Sequence, residues 1–209
     1  VCYCDSRIVS IANSWAYAAT ETTDNYNKMY VTADLPYSAE YTWETKADML
    51  MASTVFTADG DSTDVLKAVS FDLINSNVTY EIAVNLGDDI GKGWIQDNVC
   101  ASGSKMYAGY YTVRLDKSIF LEPGEQFEII LRIEGNGEET LALPWIQNTR
   151  FVANLPRQSG LCRLYDPAET DWIDIGNGAV PDNGSNNYYA YFTTKALCYD
   201  ASLEEGEIE

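Results

Sequence analysis

LEPGEQFEIILRIEGNG, residues 121–137, is the stretch of sequence that decides the fold. Pro123 and Gly124 occupy the two central positions of a type II turn, with Pro first and Gly second. Apolar residues then recur at every second position, at Phe127, Ile129, Leu131 and Ile133. A period of two with β-branched and aromatic residues is typical of a β-strand with one buried face. The stretch therefore predicts a turn followed by a strand whose odd-numbered residues face the core.

The same alternation recurs elsewhere in the chain. VTYEIAVNL (residues 78–86) and YYTVRL (110–115) repeat it, and VLKAVSFDLI (65–74) comes close to it. Short strands separated by turn residues at this spacing indicate an all-β fold, which we predict to be an antiparallel β-sandwich over residues 45–200. The residues predicted to face its core are Val69, Phe71, Tyr80, Ile82, Val84, Val113, Phe127, Ile129 and Leu131.

Charge is the most unusual feature of the composition. The chain has 13 Lys and Arg residues against 32 Asp and Glu residues, a formal net charge of −19. Nucleic-acid phosphates are bound by clusters of Lys and Arg, which this sequence lacks, so we expect no nucleic-acid partner. The same negative field repels anionic membrane surfaces and suits an extracellular or salty setting. No apolar run is long enough to predict a transmembrane segment, and no signal peptide is recognised.

The sequence contains no histidine. This excludes Ser-His and Cys-His pairs of nucleophile and base, and metal sites with His ligands. Paired carboxylates can hydrolyse glycosidic bonds, but no Asp or Glu lies in an apolar run that would raise its pKa. We therefore predict that the chain is not an enzyme and holds no catalytic residues.

Five cysteines occur, at Cys2, Cys4, Cys100, Cys162 and Cys198. No Cys-x-x-Cys pair is present, so a thiolate zinc site has no support. The number is odd, so at least one thiol lacks a partner within the chain. Cys2 and Cys4 would face the same side of a strand, where a disulfide is sterically poor. We expect buried free thiols.

The acidic turn DGDSTD, residues 59–64, is a candidate metal site. Hard cations take several oxygen ligands, and Asp59, Asp61 and Asp64 would supply three for a structural calcium ion. The spacing is not that of an EF-hand. A hairpin turn whose Asp side chains cap backbone N–H groups explains the same residues without a metal, and both interpretations stay open.

Aromatic residues make up 12% of the chain, with five Trp and fifteen Tyr. Sugars stack on flat aromatic rings while Asn, Asp and Gln side chains bind their hydroxyl groups. The Gly-rich segment GDDIGKGWIQDN, residues 87–98, has this composition. Trp172 also lies near acidic residues, but its strand-like segment predicts a Trp packed in the core. The candidate carbohydrate-binding residues are Trp94, Asp88, Asp89, Gln96, Asp97 and Asn98.

The order of the segments resembles that of the lectin-like domains found C-terminal to the catalytic domain in bacterial and archaeal papain-like cysteine peptidases. The resemblance covers residues 24–199. The segments that carry it are MASTVFTADGDSTDVLKAVSFDLINSNVTYEIAVNL (51–86), LDKSIFLEPGEQFEIILRI (115–133), RQSGLCRLYDPAETDWIDI (157–175) and YYAYFTTKALCY (188–199).

The resemblance implies a sandwich of jelly-roll type in a secreted or cell-surface peptidase, with the peptidase domain upstream. Residues 1–44 would be a linker after that domain, 45–200 the lectin-like sandwich and 201–209 an acidic tail. VCYCDSRI, residues 1–8, resembles the exit strand of such a peptidase domain. The tripeptide at residues 13–15, Asn-Ser-Trp, also occurs in a papain-like catalytic motif, but Ala16 and the lack of His indicate a coincidence.

Functions of different classes remain open. The first is a non-catalytic accessory domain that binds a glycan or a cell-surface polymer. The second is a structural or protein-interaction module, without a sugar site, that docks on the peptidase domain and positions it; an adhesin domain is a third. An accessible Trp among convergent polar side chains would favour the first, and a broad apolar patch near the N-terminal segment would favour the second.

Overall fold

The computed structural model describes residues 26–32, 39–42, 48–135, 137, 140–147, 157–167, 171–177 and 189–200. Within these ranges the chain forms β-strands and three short 3-10 helices, and no helix there could cross a membrane. The strands are β1 (Lys28–Val31), β2 (Ala39–Thr42), β3 (Met49–Thr57), β4 (Asp64–Leu73), β5 (Val78–Leu86), β6 (Val99–Lys105), β7 (Gly109–Leu121), β8 (Gln126–Glu134), β9 (Ala142–Gln147), β10 (Cys162–Tyr165), β11 (Ile173–Asp174), β12 (Ala190–Phe192) and β13 (Lys195–Asp200).

The strands form three sheets in which every recorded pairing is antiparallel. The strand orders are β1-β13-β4-β7 in a four-stranded sheet, β11-β10-β3-β8-β5-β6 in a six-stranded sheet and β12-β9-β2 in a three-stranded sheet. The four- and six-stranded sheets face each other, since the rings of Phe71 on β4 and Tyr80 on β5 lie 5.4 Å apart. The prediction of an all-β sandwich is confirmed.

The turn and strand at residues 121–137 form as predicted. Gly124 has a φ of +82°, and the N–H of Glu125 donates to the carbonyl of Glu122 at 2.9 Å, which closes the turn. Phe127 is completely buried, and its ring lies 5.4 Å from that of Phe56. The odd-numbered residues of β8 therefore face the core, as the alternation requires.

The predicted core residues are buried, with one exception. Val113 is only partly buried, because β7 is the edge strand of the four-stranded sheet. The buried thiols of Cys100, Cys162 and Cys198 belong to the same core, and all three are free. Burial raises the pKa of the Cys162 thiol to about 12. Thiols in this state are protonated and poorly reactive. Cys2 and Cys4 lie outside the described residues.

The sandwich begins before residue 45. β1 pairs with β13 at one edge of the four-stranded sheet, and β2 pairs with β9 in the three-stranded sheet. Backbone pairing makes these two segments part of the sheets, where the sequence analysis expected a linker. Their aromatic and charged residues obscured the alternation, because each strand is only four residues long. Residues 1–25 and the predicted acidic tail lie outside the described residues.

The six-stranded sheet has a second face, opposite the core, which we call the outer face. A small apolar cluster lies on it, formed by Met51, Ala83 and Ile130. Partly buried side chains pack against this cluster and surround it: Met49, Trp94, Val99, Tyr165 and Trp172. A face that carries both apolar and polar side chains is the part of the fold that matters for function.

Candidate functional site

The covering loop, residues 87–98, joins β5 to β6 and lies against the outer face. Its two ends form short 3-10 helices at Gly87–Asp89 and Gln96–Asn98. Trp94, the centre of the predicted carbohydrate site, lies between them and packs against the outer cluster. The position of this tryptophan is therefore set by whatever fixes the loop to the sheet.

Glu128 on β8 is the main anchor of the covering loop. Its side chain is 0% exposed, and its Oε2 accepts hydrogen bonds from the backbone N–H of Gly91 and from Nδ2 of Asn85, both at 3.0 Å. The Ser53 hydroxyl donates to Oε1, and the guanidinium of Arg163 forms an ion pair with it. A buried carboxylate is tolerated only when it is paired and hydrogen-bonded in this way.

Two further contacts hold the backbone of the loop. Asn85 Nδ2 donates to the carbonyl of Gly93 at 3.0 Å, and Arg163 donates to the carbonyl of Gly91 at 2.9 Å. Gly93 has a φ of +85°, and a Cβ there would lie only 2.6 Å from Nε1 of Trp172. Glycine is therefore required at position 93 both by the backbone conformation and by the packing of Trp172.

Trp94 is partly buried, and its ring is held by polar groups. The guanidinium carbon of Arg132 lies 5.6 Å from the centre of the indole, in a cation–π contact. The indole N–H donates to Oε1 of Gln96 at 3.3 Å. An indole held between the sheet and its own loop is a rigid apolar surface for a ligand.

The polar residues predicted around Trp94 differ in what they contact. Asn98 donates to Oδ1 of Asn85 at 2.9 Å, so it helps to hold the loop. Asp89 forms an ion pair with Lys92 at 3.1 Å, and that ammonium, with help from Asn98, lowers the pKa of the Asp89 carboxyl. The exposed members of the predicted set are Asp88, Gln96 and Asp97.

Trp172 does not pack in the core between the sheets, where the sequence predicted it. It is partly buried on the outer face, with its ring 5.5 Å from Tyr165 and 5.2 Å from the guanidinium carbon of Arg163. The reason is that β11 is a two-residue edge strand, so its flanking Trp folds over the neighbouring strand instead of entering the core. Trp172 therefore contacts the same loop that holds Trp94.

An open polar cavity of about 530 Å³ lies at the far end of β5, β6 and β8, and the sequence analysis missed it. Its side chains include Thr79, Glu81, Ser102, Arg132 and Glu134. Arg132 forms ion pairs with both Glu81 and Glu134. Outward positions of three different strands contribute these groups, and no local motif joins them, so the only sequence signal was a polar residue at each outward position.

The acidic turn already holds a cationic group. The ammonium of Lys28 on β1 lies 3.1 Å from a carboxylate oxygen of Asp59 and 2.7 Å from one of Asp64. Tyr30 also donates to Asp64, which is completely buried. Desolvation lowers the pKa of Lys28, but the hydrogen bonds with Asp64, Tyr30 and Asp59 outweigh it and raise the pKa above its ordinary value.

Calcium at this turn stays a prediction. Asp61 is exposed, and across the described ranges no three Asp, Glu or Cys side chains converge as metal ligands would. Lys28 occupies the space between Asp59 and Asp64 where a cation would bind. A calcium ion would therefore have to displace an ammonium group that the strand β1 delivers.

Comparison with known proteins gives both a family match and structural matches. The sequence model of a family described as "Lectin like domain" matches residues 29–159. No curated protein matches the sequence.

Two solved structures share the fold. One is a clostridial cysteine protease, Cwp84, after propeptide cleavage, with a TM-score of 0.61 and 19% identity; the match covers 83% of this chain and 40% of that one. The other contains the cysteine protease and lectin-like domains of Cwp84, a surface layer associated protein of Clostridium difficile, with a TM-score of 0.57 and 17% identity, over 88% and 37%. The chain thus spans less than half of either.

Proposed function

The chain belongs to the lectin-like domain family, and on that premise we propose that it is a non-catalytic accessory domain of an extracellular cysteine peptidase that binds a glycan or cell-surface polymer. The similar structures support a peptidase parent and a cell-surface location, since their titles name a cysteine protease and a surface layer associated protein. The lack of histidine supports a non-catalytic role, because no Cys-His pair can form within the chain.

Trp94 is the observation that carries the glycan-binding part of the proposal. Its indole is partly accessible, Arg132 lies on the ring, and the loop that presents it is tied to the sheet by the buried Glu128. Sugar binding needs a flat apolar surface in a fixed orientation, with hydrogen-bonding groups beside it. Exposed polar side chains at Asp88, Gln96 and Asp97 supply such groups on the same loop.

The charge of the chain restricts the polymer. A net charge of −19 repels sulfated and uronic-acid polymers, most strongly at low salt. The ligand is accordingly a neutral or cationic polysaccharide. An accessory domain that bound such a polymer would hold the peptidase at a cell surface or on its matrix.

The experiment is a titration of the chain with neutral, amino-bearing and anionic polysaccharides, followed by tryptophan fluorescence and calorimetry. We expect binding of a neutral or amino-bearing polymer, weakened about tenfold or more in Trp94→Ala, because an aromatic anchor dominates such sites. Tyr107→Ala is the matched control, since this tyrosine is 70% exposed and lies on the turn between β6 and β7. Binding that survives Trp94→Ala would move the site elsewhere.

A docking module without a sugar site is the second candidate. The turn between β6 and β7 exposes Met106 and Tyr107, by 64% and 70%, and Tyr110 follows on β7. This apolar patch lies at the opposite edge of the four-stranded sheet from β1. Calorimetry with the separately produced peptidase domain of the parent tests it. A complex that is lost in Tyr107→Ser, with no polysaccharide bound, would favour docking.

A further inference from the structure

The polar cavity on the outer face lies beside Trp94 and is organised by strand register. Arg132 on β8 is opposite Glu81 on β5, which is opposite Ser102 on β6. The next row along the sheet contains Glu134, Thr79 and Ser104. Side chains on the same face of neighbouring strands are close enough to act on one ligand. The two rows thus form a continuous patch of hydroxyl, carboxylate and guanidinium groups.

Arg132 connects this cavity to Trp94. Its guanidinium lies over the indole, while its two terminal nitrogens donate to Glu81 and Glu134. A guanidinium has five N–H donors, so these two hydrogen bonds leave donors for a ligand. The carboxylates fix the plane of the guanidinium, so a ligand that accepts a hydrogen bond from it does not have to order a flexible side chain.

The remaining groups of the cavity match the hydroxyl groups of a sugar. The Thr79 and Ser102 side chains are exposed and line the cavity, and each hydroxyl can donate and accept. Glu81 and Glu134 each have a second carboxylate oxygen that does not contact Arg132 in the recorded ion pairs. A ring that stacked on Trp94 would therefore find both donors and acceptors at its edge.

Size and charge select among ligands. A volume of about 530 Å³ falls within the range of about 300–1,000 Å³ of small-molecule sites. One guanidinium and two carboxylates give the cavity a net charge of about −1, which disfavours anionic sugars and tolerates an amino group.

We infer that this cavity is a sugar subsite, next to Trp94, for an uncharged or amino-bearing pyranose unit of a polysaccharide; the inference rests on the proposed function. Trp94 supplies the apolar surface, Arg132 donates hydrogen bonds to ring substituents, and Thr79, Ser102 and the two glutamates bind hydroxyl or amino groups.

The test uses the whole chain and three probes: oligomers of N-acetylglucosamine, of glucosamine and of galacturonic acid. The double variant Thr79→Val with Ser102→Ala removes two hydroxyls from the cavity, and neither residue is recorded in contact with Trp94. Thr57→Val is the matched control, because Thr57 is also an exposed strand threonine and lies at the opposite end of β3 from the row of Arg132. Equal melting temperatures would establish that all variants are folded.

We expect a neutral or amino-bearing oligomer to bind, with an affinity about tenfold lower in the double variant and unchanged in Thr57→Val. Binding that is lost in Trp94→Ala but unchanged in the double variant would overturn the subsite and leave the proposed function standing. Preferential binding of the galacturonic-acid oligomer would overturn the assigned ligand class. Failure of all three probes to bind would overturn both the subsite and the glycan-binding function.

Discussion

The carboxylate of Glu128 accepts a hydrogen bond of 3.0 Å from the backbone N–H of Gly91. Glu128 is completely buried on β8, whereas Gly91 lies in the covering loop between β5 and β6. Together with the ion pair to Arg163, this contact fixes the loop on the sheet. The predicted sugar-binding tryptophan therefore depends on a buried ionic network that contacts no ligand.

Removing the Glu128 carboxylate should destabilise the protein strongly. Glu128→Ala leaves Arg163 and Asn85 without their buried partner, and breaking a buried pair costs about 3–5 kcal/mol in free energy of unfolding. Urea denaturation measures the loss. Glu122→Ala is the control, since Glu122 is exposed in the turn before β8, and we expect a change of about 0.5 kcal/mol or less. Equal losses in the two variants would contradict the anchoring role.

Gly93→Ala should cost more stability than Gly124→Ala. Both glycines have a similar φ, +85° and +82°, so the backbone strain of about 1–2 kcal/mol is shared. A Cβ at position 93 also meets the Trp172 indole, whereas nothing lies within 4 Å of one at position 124. The difference between the two free energies of unfolding thus measures the contact of the loop with Trp172. Identical values would mean that the tryptophan moves aside freely.

Phe127→Ala should remove about 3–5 kcal/mol of stability, because a large buried side chain leaves a cavity. The ring packs between Phe56 and Tyr30, at 5.4 Å and 5.6 Å. Phe120→Ala provides the comparison, since Phe120 is 64% exposed on β7. Chemical denaturation of both variants gives the two values. A Phe127 variant as stable as the Phe120 variant would place the register of β8 one residue out.

The contacts of Lys28 and Tyr30 with Asp64 should make the protein less stable at alkaline pH. Folding raises the pKa of Lys28 above its usual 10.5, and desolvation and the Asp64 contact raise that of Tyr30 to about 12. A group with a raised folded pKa contributes stability that is complete below the unfolded pKa and is lost above it. The stabilisation should therefore be present at neutral pH and decline as the pH rises beyond 10.0, the usual pKa of Tyr.

Melting temperatures measured from neutral pH upward test this prediction. Lys28→Met should lower stability at neutral pH by about 3–5 kcal/mol, since it leaves the buried Asp64 without its cation, and should flatten the alkaline decline. Lys67→Met is the control, because Lys67 contacts only the Ser118 hydroxyl in the recorded hydrogen bonds and should leave the profile unchanged. An alkaline profile identical in the Lys28 variant and the wild type would refute the assignment.

Calcium binding at the acidic turn is tested by the same measurement. A ligand that binds only the folded protein stabilises it by mass action, so bound calcium would raise the melting temperature and Asp61→Ala would remove the rise. The absence of a rise at millimolar calcium would leave Lys28 as the cation that pairs Asp59 with Asp64. Lys28→Met separates the two cations, since it frees the carboxylates without changing the turn.

Local patterns were sufficient for much of the fold. The alternation around Phe127 predicted which residues of β8 face the core, and the Pro123-Gly124 pair predicted its turn. β1 and β2 were missed because four residues are too few for the alternation to stand out, and the hydrogen bonds that make them strands come from β13 and β9.

The candidate site was predictable only in part. Composition alone singled out the covering loop and Trp94, because Gly, Trp, Asp and Asn are adjacent in the chain. Trp172 was placed wrongly, since a strand-like pattern does not tell whether an edge residue enters the core or folds over its neighbour. Arg132, Glu81 and Ser102 could not be grouped at all, because they lie on three strands.

The sequence by itself determined which side chains of each strand point inward and which point outward, since that alternation is a local property of an extended backbone. Only the tertiary structure decided which outward side chains are neighbours, because strand order and register are set by pairing between distant segments. Lys28 meets Asp64 across 36 residues, and Arg132 meets Glu81 across 51. The position of Trp94 was decided in the same way, by Glu128 reaching Gly91 from another strand.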